Sequence, residues 1–248
     1  MFSFFTKKQS KKLHDLAILG ADMHSHLIPG IDDGAKTVDD SLSLVKQLVD
    51  LGYKKIITSP HVYQEYYPNT FDTIENGLRL VRKALSEHDM HLDFSAGAEY
   101  YLDEHFEELL NEKQSIRKIS GNYVLVEMGF FGAPPNLENY IFQLQLAGYK
   151  PILAHPERYS FYQGKLDAFI RLKDLGCVLQ VNLLSLAGYY GKEVAHLAQK
   201  LIKNELVSFL GTDLHHQRHM DTIREALNNK AFVKYILDYE YQNKTLLG

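Results

Sequence analysis

Short apolar runs alternate along the chain with segments whose apolar residues recur at helical spacing. The first run, LAILGADMHSHL, ends in a turn-rich stretch, and a helical segment follows with Thr37 as its expected N-cap and Gly52 as its stop. One face of this predicted helix carries Val38, Leu42, Val45 and Val49. Such an alternation predicts parallel strands that are joined by helical crossovers.

Six further apolar runs predict six more strands. They read KKIITSPH, HLDFSAGAEY, NYVLVEM, KPILAHPER, GCVLQVN and LVSFLGTDLHH. Helices are predicted between them at about residues 71–85, 102–111, 136–147, 165–175 and 191–203, and C-terminal helices follow the last run. In the helix at 71–85 one face carries Phe71, Ile74, Leu78, Val81 and Leu85. Seven strands in this rhythm fit either a barrel or a doubly wound sheet.

Nearly every predicted strand closes on a residue of a type that can bind a metal. In chain order these residues are His24, His26, His61, Glu99, Glu127, His155, Asn182, Asp213 and His215. In a parallel barrel all the carboxyl ends of the strands converge on one face, whereas a doubly wound sheet brings only its central strands to a crevice. The pattern therefore favours a barrel with a metal site on that face.

The spacing of these residues supports shared cations. Residues two apart in a strand point to the same face, so His24 and His26 are expected to bind one cation, as are Asp213 and His215. Either pair alone is weak evidence, because a lone histidine at a strand end is more often a hydrogen-bonded structural residue. The acidic pair in GIDDGAK, Asp32 and Asp33, lies a few residues further on and can reach the same face.

The candidate ligands supply only nitrogen and oxygen, which suits manganese, iron or zinc. They are too many for one ion, since a single catalytic zinc takes three protein ligands, so two or three clustered cations are expected. Clustered cations activate water and neutralise the oxygens of a transferring phosphoryl group, which favours phosphate-ester hydrolysis. Amide hydrolysis at a binuclear site remains chemically possible.

Two arginines are candidates for holding the phosphoryl group. Arg158, in AHPERY, lies three residues after His155, and Arg218 follows the last histidine motif; a structural salt bridge is the alternative role for each. Aromatic residues near the expected entrance are candidates for stacking on a substrate ring, or alternatively for packing loops or subunits together. They are Tyr63, Tyr66, Phe130 and Phe131.

Composition narrows the protein class. The 248 residues are 45% hydrophobic and 23% charged with a net charge of −4, and this gives no electrostatic footprint for nucleic acid. No apolar run approaches the length of a membrane helix. The single cysteine, Cys177, is expected to be a packed thiol in a reducing, cytoplasmic environment. The lysine-rich leader, residues 1–19, resembles a frayed or amphipathic helix, with weak membrane contact as the alternative.

The motifs DMHSHLIPGIDDG, SPH, GAEYY, VEM, AHPERY and TDLH together resemble the PHP (polymerase and histidinol phosphatase) superfamily. More narrowly, they resemble its bacterial capsule-type tyrosine-protein phosphatases over roughly residues 20–220. The resemblance implies one domain over residues 1–248, with a distorted (β/α)7 barrel at 20–220 and C-terminal helices at 221–248. It also implies a trinuclear centre, usually described with manganese or iron.

Carried over position by position, the resemblance implies nine metal ligands and a phosphate-binding arginine at Arg158. The ligands are His24, His26, Asp33, His61, Glu99, Glu127, His155, Asp213 and His215. A second arginine is expected slightly downstream of Arg218. The implied activity is hydrolysis of phosphotyrosine on the C-terminal tail of a bacterial tyrosine autokinase that controls exopolysaccharide export.

The residues agree with this chemistry. A tyrosyl leaving group, with a pKa of about 10, needs less protonation than an alkoxide. No Cys-x5-Arg phosphate loop is present, because the sequence after Cys177 lacks the arginine, so a thiol-phosphate intermediate is excluded. Two alternatives remain open. One is a PHP hydrolase of a small phosphomonoester such as histidinol phosphate, or of a phosphodiester; the other is a non-catalytic metal-binding scaffold.

Overall fold

The computed structural model describes residues 13–113 and 115–247, which form nine strands and nine α-helices. The strands are β1 (Ala21–Asp22), β2 (Lys55–Thr58), β3 (His61–Val62), β4 (Asp93–Ala96), β5 (Glu99–Tyr101), β6 (Tyr123–Glu127), β7 (Lys150–Ala154), β8 (Val178–Asn182) and β9 (Val207–Gly211). The helices are α1 (Val38–Asp50), α2 (Phe71–Glu87), α3 (Glu104–Asn111), α4 (Leu137–Leu146), α5 (Leu166–Asp174), α6 (Leu183–Leu186), α7 (Lys192–Lys203), α8 (Gln217–Ala226) and α9 (Lys230–Leu237). Short 3₁₀ turns cover Pro156–Arg158, Ser160–Tyr162 and Gln242–Leu247.

Every pair of neighbouring strands is parallel, so the predicted parallel α/β fold is confirmed. The strands form two sheets, one in the order β1-β2-β4 and one in the order β3-β5-β6-β7-β8-β9. Two predicted strands are each broken into two, which gives β2 with β3 and β4 with β5. Pro60 lies in the first break and has no N–H to donate to a ladder. At the second break, a side chain on Gly97 would collide with Ile119.

Side chains join the first strand to the last. Thr212 donates its N–H and its hydroxyl to the two oxygens of Asp22, at 3.0 and 2.9 Å. The carboxamide of Asn243 donates to the carbonyls of Ala21 and Leu210 and accepts the N–H of Leu210, at 2.7–3.0 Å. One parallel bridge, Ser25–Leu214, continues the contact. Among the described residues this seam takes the place of a ladder between β1 and β9.

The helix boundaries lie within about two residues of the predicted ones, and Thr37 caps α1 as expected. The predicted apolar faces are wrong at Val49 and Phe71, whose side chains are exposed. In α1 the buried face instead includes Leu44 and Leu48, so it is rotated relative to the predicted stripe. A 3.6-residue period leaves several apolar positions near the edge of a stripe, and packing against the neighbouring elements decides which of them are buried.

Cys177 is buried, and burial raises the pKa of its thiol to about 12, so the prediction of an unreactive packed thiol is confirmed. No helix within residues 13–113 and 115–247 is long and apolar enough to cross a membrane. The predicted leader helix and its alternative membrane contact fall largely on residues 1–12, which lie outside the described residues. The division into leader, barrel and C-terminal helices stays a prediction.

Candidate metal centre

All nine predicted ligands converge at the carboxyl ends of the strands. Their nitrogen and oxygen atoms form four overlapping groups, and within each group the candidate ligand atoms lie no more than 4.8 Å apart. The groups are His26, Asp33, His61 and His215; His24, His26 and Asp213; His24, Glu99 and His155; and His61, Glu99 and Glu127. Four residues belong to two groups each, so the structure describes one continuous cluster. Their assignment as ligands stays a prediction.

Glu99 lies at the centre of the buried part of this cluster. Its Oε1 is 3.0 Å from His155 Nε2, and its Oε2 is 3.1 Å from His24 Nε2 and 3.3 Å from His61 Nδ1. Burial alone would raise the pKa of Glu99, but His24 and His61 hold it well below its usual range. A buried carboxylate that touches three imidazoles is suited to bridging cations.

Asp33 forms the outer part of the cluster and is half exposed, with 50% of its side chain accessible. Its Oδ1 lies 3.3 Å from His215 Nε2 and 3.5 Å from His61 Nε2. His215 bonds through Nδ1 to the backbone carbonyl of Asp213 at 2.9 Å, which leaves Nε2 toward Asp33. The spacing in the sequence predicts that Asp213 and His215 bind one cation. In the structure the two side chains fall into different groups of candidate ligands.

The two neighbouring aspartates of GIDDGAK have different roles. Asp32 is buried and accepts from His26 Nδ1 at 2.8 Å, so Nε2 of that ring faces the cluster, 3.4 Å from His24 Nε2. A carboxylate behind a ligating imidazole fixes the tautomer and the ring orientation. Gly34 permits this loop to fold back, because a Cβ there would lie 2.1 Å from the carbonyl oxygen of His26. Asp33 is the one of the two that belongs to a group of candidate ligands.

A chain of hydrogen bonds holds the buried ligands from β8. Gln180 Oε1 lies 2.8 Å from His24 Nδ1, and its Nε2 donates to Asn182 Oδ1 at 2.8 Å. Asn182 in turn donates to Asp213 Oδ2 at 2.6 Å, and Arg158 Nη1 donates to the same oxygen at 3.0 Å. Asp213 Oδ1 is thereby left toward His24, at 3.4 Å. The sequence analysis missed Gln180, although its position two residues before Asn182 on β8 was the available signal.

Two candidate ligands have left-handed backbone conformations, with φ of 36° at His155 and 50° at Asp213. His155 directly follows β7, Asp213 lies two residues after β9, and neither is a glycine. Non-glycine residues in this region carry a conformational cost, and they concentrate at functional sites where the surroundings hold them. The turn redirects each side chain from the strand direction toward the cluster.

The residues fit divalent cations. Five imidazoles and four carboxylates face one another here with nitrogen and oxygen atoms only, the donor set that manganese, iron and zinc share. Burial opposes protonation of the histidines, yet the surrounding carboxylates raise the pKa of His61 to about 9 and raise those of His24 and His26 as well. Protons therefore balance the carboxylates where cations do not, and cation binding would displace them.

The cluster forms the floor of a cavity of about 690 Å³. The four aromatic residues predicted near the entrance all line it, as does Arg158. Tyr63 is stacked on Tyr101 at 4.0 Å between ring centroids, whereas Phe131 is 95% exposed. Arg218 is exposed and is not among the lining residues; its guanidinium carbon lies 5.4 Å from the Tyr189 ring centroid. The catalytic role of Arg218 stays a prediction.

Further lining residues escaped the sequence analysis. Tyr67 stacks on His61 with centroids 5.3 Å apart, and Tyr190 lies against Arg158. His216 and His219 line the same wall, and their rings are 3.9 Å apart. Burial lowers the pKa of His219 to about 3, so its imidazole is neutral. These side chains lie in loops and a helix, where no periodic signal marks them.

The fold and the site define a parallel α/β protein in which His, Asp and Glu side chains that could hold metal ions cluster beside the ends of the strands. A family profile described as capsular polysaccharide synthesis, CpsB/CapC, matches residues 20–246. The chain belongs to the CpsB/CapC family, and the resemblance to the capsule-type branch is thereby confirmed.

Named relatives agree with this assignment. The tyrosine-protein phosphatase YwqE of Bacillus subtilis is 30% identical over 222 residues, which cover 89% of this chain and 84% of the relative. The tyrosine-protein phosphatase CpsB of Streptococcus agalactiae is 25% identical over 199 residues, 78% of this chain and 82% of the relative. A similar crystal structure comes from a study of YwqE from B. subtilis and CpsB from Streptococcus pneumoniae, described as metal-dependent tyrosine phosphatases. It has a TM-score of 0.75 and 26% identity, and covers 89% of this chain and 96% of that one.

Proposed function

We propose that this chain is a metal-dependent tyrosine-protein phosphatase. The observation that carries the proposal is the cluster of nine candidate ligands, six of which line a cavity that has an arginine and aromatic side chains in its walls. We assign all nine residues as ligands of two to three divalent cations, with manganese or iron preferred and zinc as an alternative. When bound, such cations activate water and neutralise phosphoryl oxygens.

The chain's own residues have separate tasks in this proposal. Arg158 holds the phosphoryl oxygens, because its guanidinium lies in the cavity wall next to the cluster and is fixed by Asp213. Phe131 and Tyr66 are exposed at the mouth and offer ring faces to the tyrosyl group. Phe130 and Tyr63 already pack against Arg158 and Tyr101, so their contact with substrate is edge-on or through the remaining face.

The physiological substrate in this proposal is the phosphotyrosine tail of a bacterial tyrosine autokinase that controls capsule or exopolysaccharide synthesis, reached in the cytoplasm. The family description, capsular polysaccharide synthesis, supports this setting. The cavity mouth is open and carries exposed aromatic side chains on two loops. This arrangement fits a polypeptide substrate better than it fits a small phosphomonoester. Cys177 takes no part, since its thiol is buried in the core.

Elemental analysis combined with a substrate panel tests the proposal. The chelated protein is expected to be inactive, and reloading with manganese should restore hydrolysis of a phosphotyrosine peptide in preference to a phosphoserine peptide and histidinol phosphate. The matched control Cys177→Ala should keep this activity. Phosphotyrosine hydrolysis that survives exhaustive metal removal, or a preference for histidinol phosphate, would refute the proposal.

A further inference from the structure

The guanidinium of Arg158 contacts two aromatic rings that come from different parts of the chain. Its carbon is 4.6 Å from the Phe130 ring centroid and 4.3 Å from the Tyr190 ring centroid. Phe130 follows β6, whereas Tyr190 lies in the loop between α6 and α7. Since Arg158 Nη1 also donates to Asp213 at 3.0 Å, the side chain is held by two aromatic rings and one carboxylate.

The rings themselves are fixed by neighbours. Tyr190 packs edge-on against Tyr189 at 5.1 Å, and Tyr189 packs edge-on against His219 at 4.8 Å. Glycines in left-handed conformations bracket the tyrosine pair, with φ of 85° at Gly188 and 97° at Gly191, so the loop GYYG makes two turns that other residues rarely adopt.

Phe130 packs at a tilted angle against two residues of the AHPERY segment, His155 at 5.8 Å and Tyr159 at 5.9 Å between ring centroids. The aromatic contacts to Arg158 therefore belong to a built wall of the cavity rather than to freely rotating side chains.

Stacking has a specific consequence for an arginine that binds phosphate. Aromatic faces attract the cation but accept no conventional hydrogen bond, so the N–H groups of Arg158 are directed along the guanidinium plane. Asp213 uses one position in that plane. Because 23% of the side chain remains accessible, other N–H groups are free to meet phosphoryl oxygens from the cavity. A lysine could not reproduce this planar fork.

We propose that Tyr190 and Phe130 are positioning residues that hold the Arg158 guanidinium in the plane required to bind the phosphoryl group. The inference rests on the proposed function and adds a task for Tyr190, which lies outside the metal cluster. Tyr190 acts through its ring, so the hydroxyl is dispensable. The loop GYYG is then part of the phosphate-binding machinery, although it supplies no candidate metal ligand.

Four variants test this: Tyr190→Leu, Tyr190→Phe, Phe130→Leu and Arg158→Ala, each loaded with manganese and assayed on an aryl phosphate. We expect Tyr190→Leu and Phe130→Leu to lower kcat/KM and weaken inhibition by inorganic phosphate about five- to tenfold, as the loss of one cation–π contact predicts. Tyr190→Phe should stay within about twofold of the wild type. Metal content and the thermal unfolding midpoint should not change.

The decisive measurement is a double-mutant cycle. If Tyr190 acts through Arg158, Tyr190→Leu should cause no further loss in the Arg158→Ala background. Fully additive losses would overturn the inference, as would a Tyr190→Phe variant that is as impaired as Tyr190→Leu. The exposed aromatic-to-aliphatic control Phe142→Leu on α4 should match the wild type. Wild-type turnover reports separately on the proposed function, because an inactive wild type refutes that function. An active wild type with unaffected Tyr190 and Phe130 variants refutes only the positioning role of the two rings.

Discussion

The inner and outer parts of the candidate metal centre are built differently. The inner residues His24, Glu99 and Asp213 have almost no accessible side-chain surface, and the hydrogen-bond chain from Gln180 and Asn182 on β8 holds His24 and Asp213. The outer part depends on Asp33, which is carried by a loop and half exposed. Strands therefore fix the inner half, whereas a loop completes the outer half.

This difference separates the two tasks of a multi-metal centre. Charges interact more strongly where water is excluded, so the inner groups are suited to holding a cation permanently. The outer groups face the cavity and meet both solvent and substrate, which suits a cation that contacts the phosphoryl group and exchanges more readily. Four experiments test this difference between the inner and outer parts.

The largest effect is expected for Glu99→Gln. Both carboxylate oxygens contact imidazoles, so the variant loses the charge that joins two groups of candidate ligands. We expect kcat to fall by about 10³-fold or more together with loss of metal content, because Glu99 would hold cations that would activate water and neutralise phosphoryl oxygens. A phosphate-release assay and elemental analysis on the same sample measure kcat and metal content. A variant with full metal content and wild-type turnover would contradict the central role of Glu99.

A smaller effect is expected for Asp33→Asn. The substitution removes one outer carboxylate but leaves the buried network intact, so about one equivalent of cation should become exchangeable. We expect turnover to fall about 10- to 100-fold and to recover partly at high manganese concentration. A manganese titration of activity beside that of the wild type checks this. Loss of all cations from Asp33→Asn would show that the two halves are not separable.

Metal removal should make stability depend on pH in a predictable direction. Carboxylates raise the pKa of His61 from 6.5 to about 9, so in metal-free protein the protonated ring contributes stability below pH 6.5 that is lost as pH rises toward 9. Cations compete with these protons and bind more tightly over the same interval. The gain in unfolding midpoint on adding manganese should therefore increase from pH 6.5 to 9. A gain that shrinks over this range would contradict the assignment of His61.

The smallest effect is expected for Arg218→Ala. Its guanidinium is exposed near Tyr189, outside the cavity lining, so it can act only as a distant positive charge for an anionic substrate. We expect KM to rise about two- to threefold at low ionic strength and this rise to disappear in high salt, with kcat unchanged. Arg158→Ala serves as the comparison. A salt-independent loss of kcat in Arg218→Ala would restore a direct catalytic role.

The sequence predicts the inner half of the site well, because His24, Glu99 and Asp213 mark the ends of clear apolar strands and topology brings such ends together. It does not distinguish Asp32 from Asp33, because adjacent residues of the same type look alike in the sequence. The backbone turn at Gly34 decides which of them is a candidate ligand. Gln180 is similarly hidden, because a buried amide becomes informative only when its partner 156 residues away is known.

The fold, like the site, is only partly predictable from the sequence. Alternating apolar and helical segments predict the order of the elements and the parallel direction of the strands. The breaks at Pro60 and Gly97 depend on local backbone chemistry that interrupts an otherwise apolar run. The contacts of Asn243 with Ala21 span 222 residues and leave no periodic trace. The exposure of Val49 likewise depends on which neighbour packs against α1.

The seam between β1 and β9 has a consequence for the synthesis of the protein. His24 and His26 directly follow the first strand, and Asp213 and His215 directly follow the last, so the centre joins residues that are translated at opposite ends of the chain. A nascent chain that has emerged only as far as β8 lacks Asp213 and His215, although His24 and His26 already have the acidic neighbours Glu99 and Asp32. A ribosome that stalls before β9 therefore releases a polypeptide with an incomplete cluster of candidate ligands.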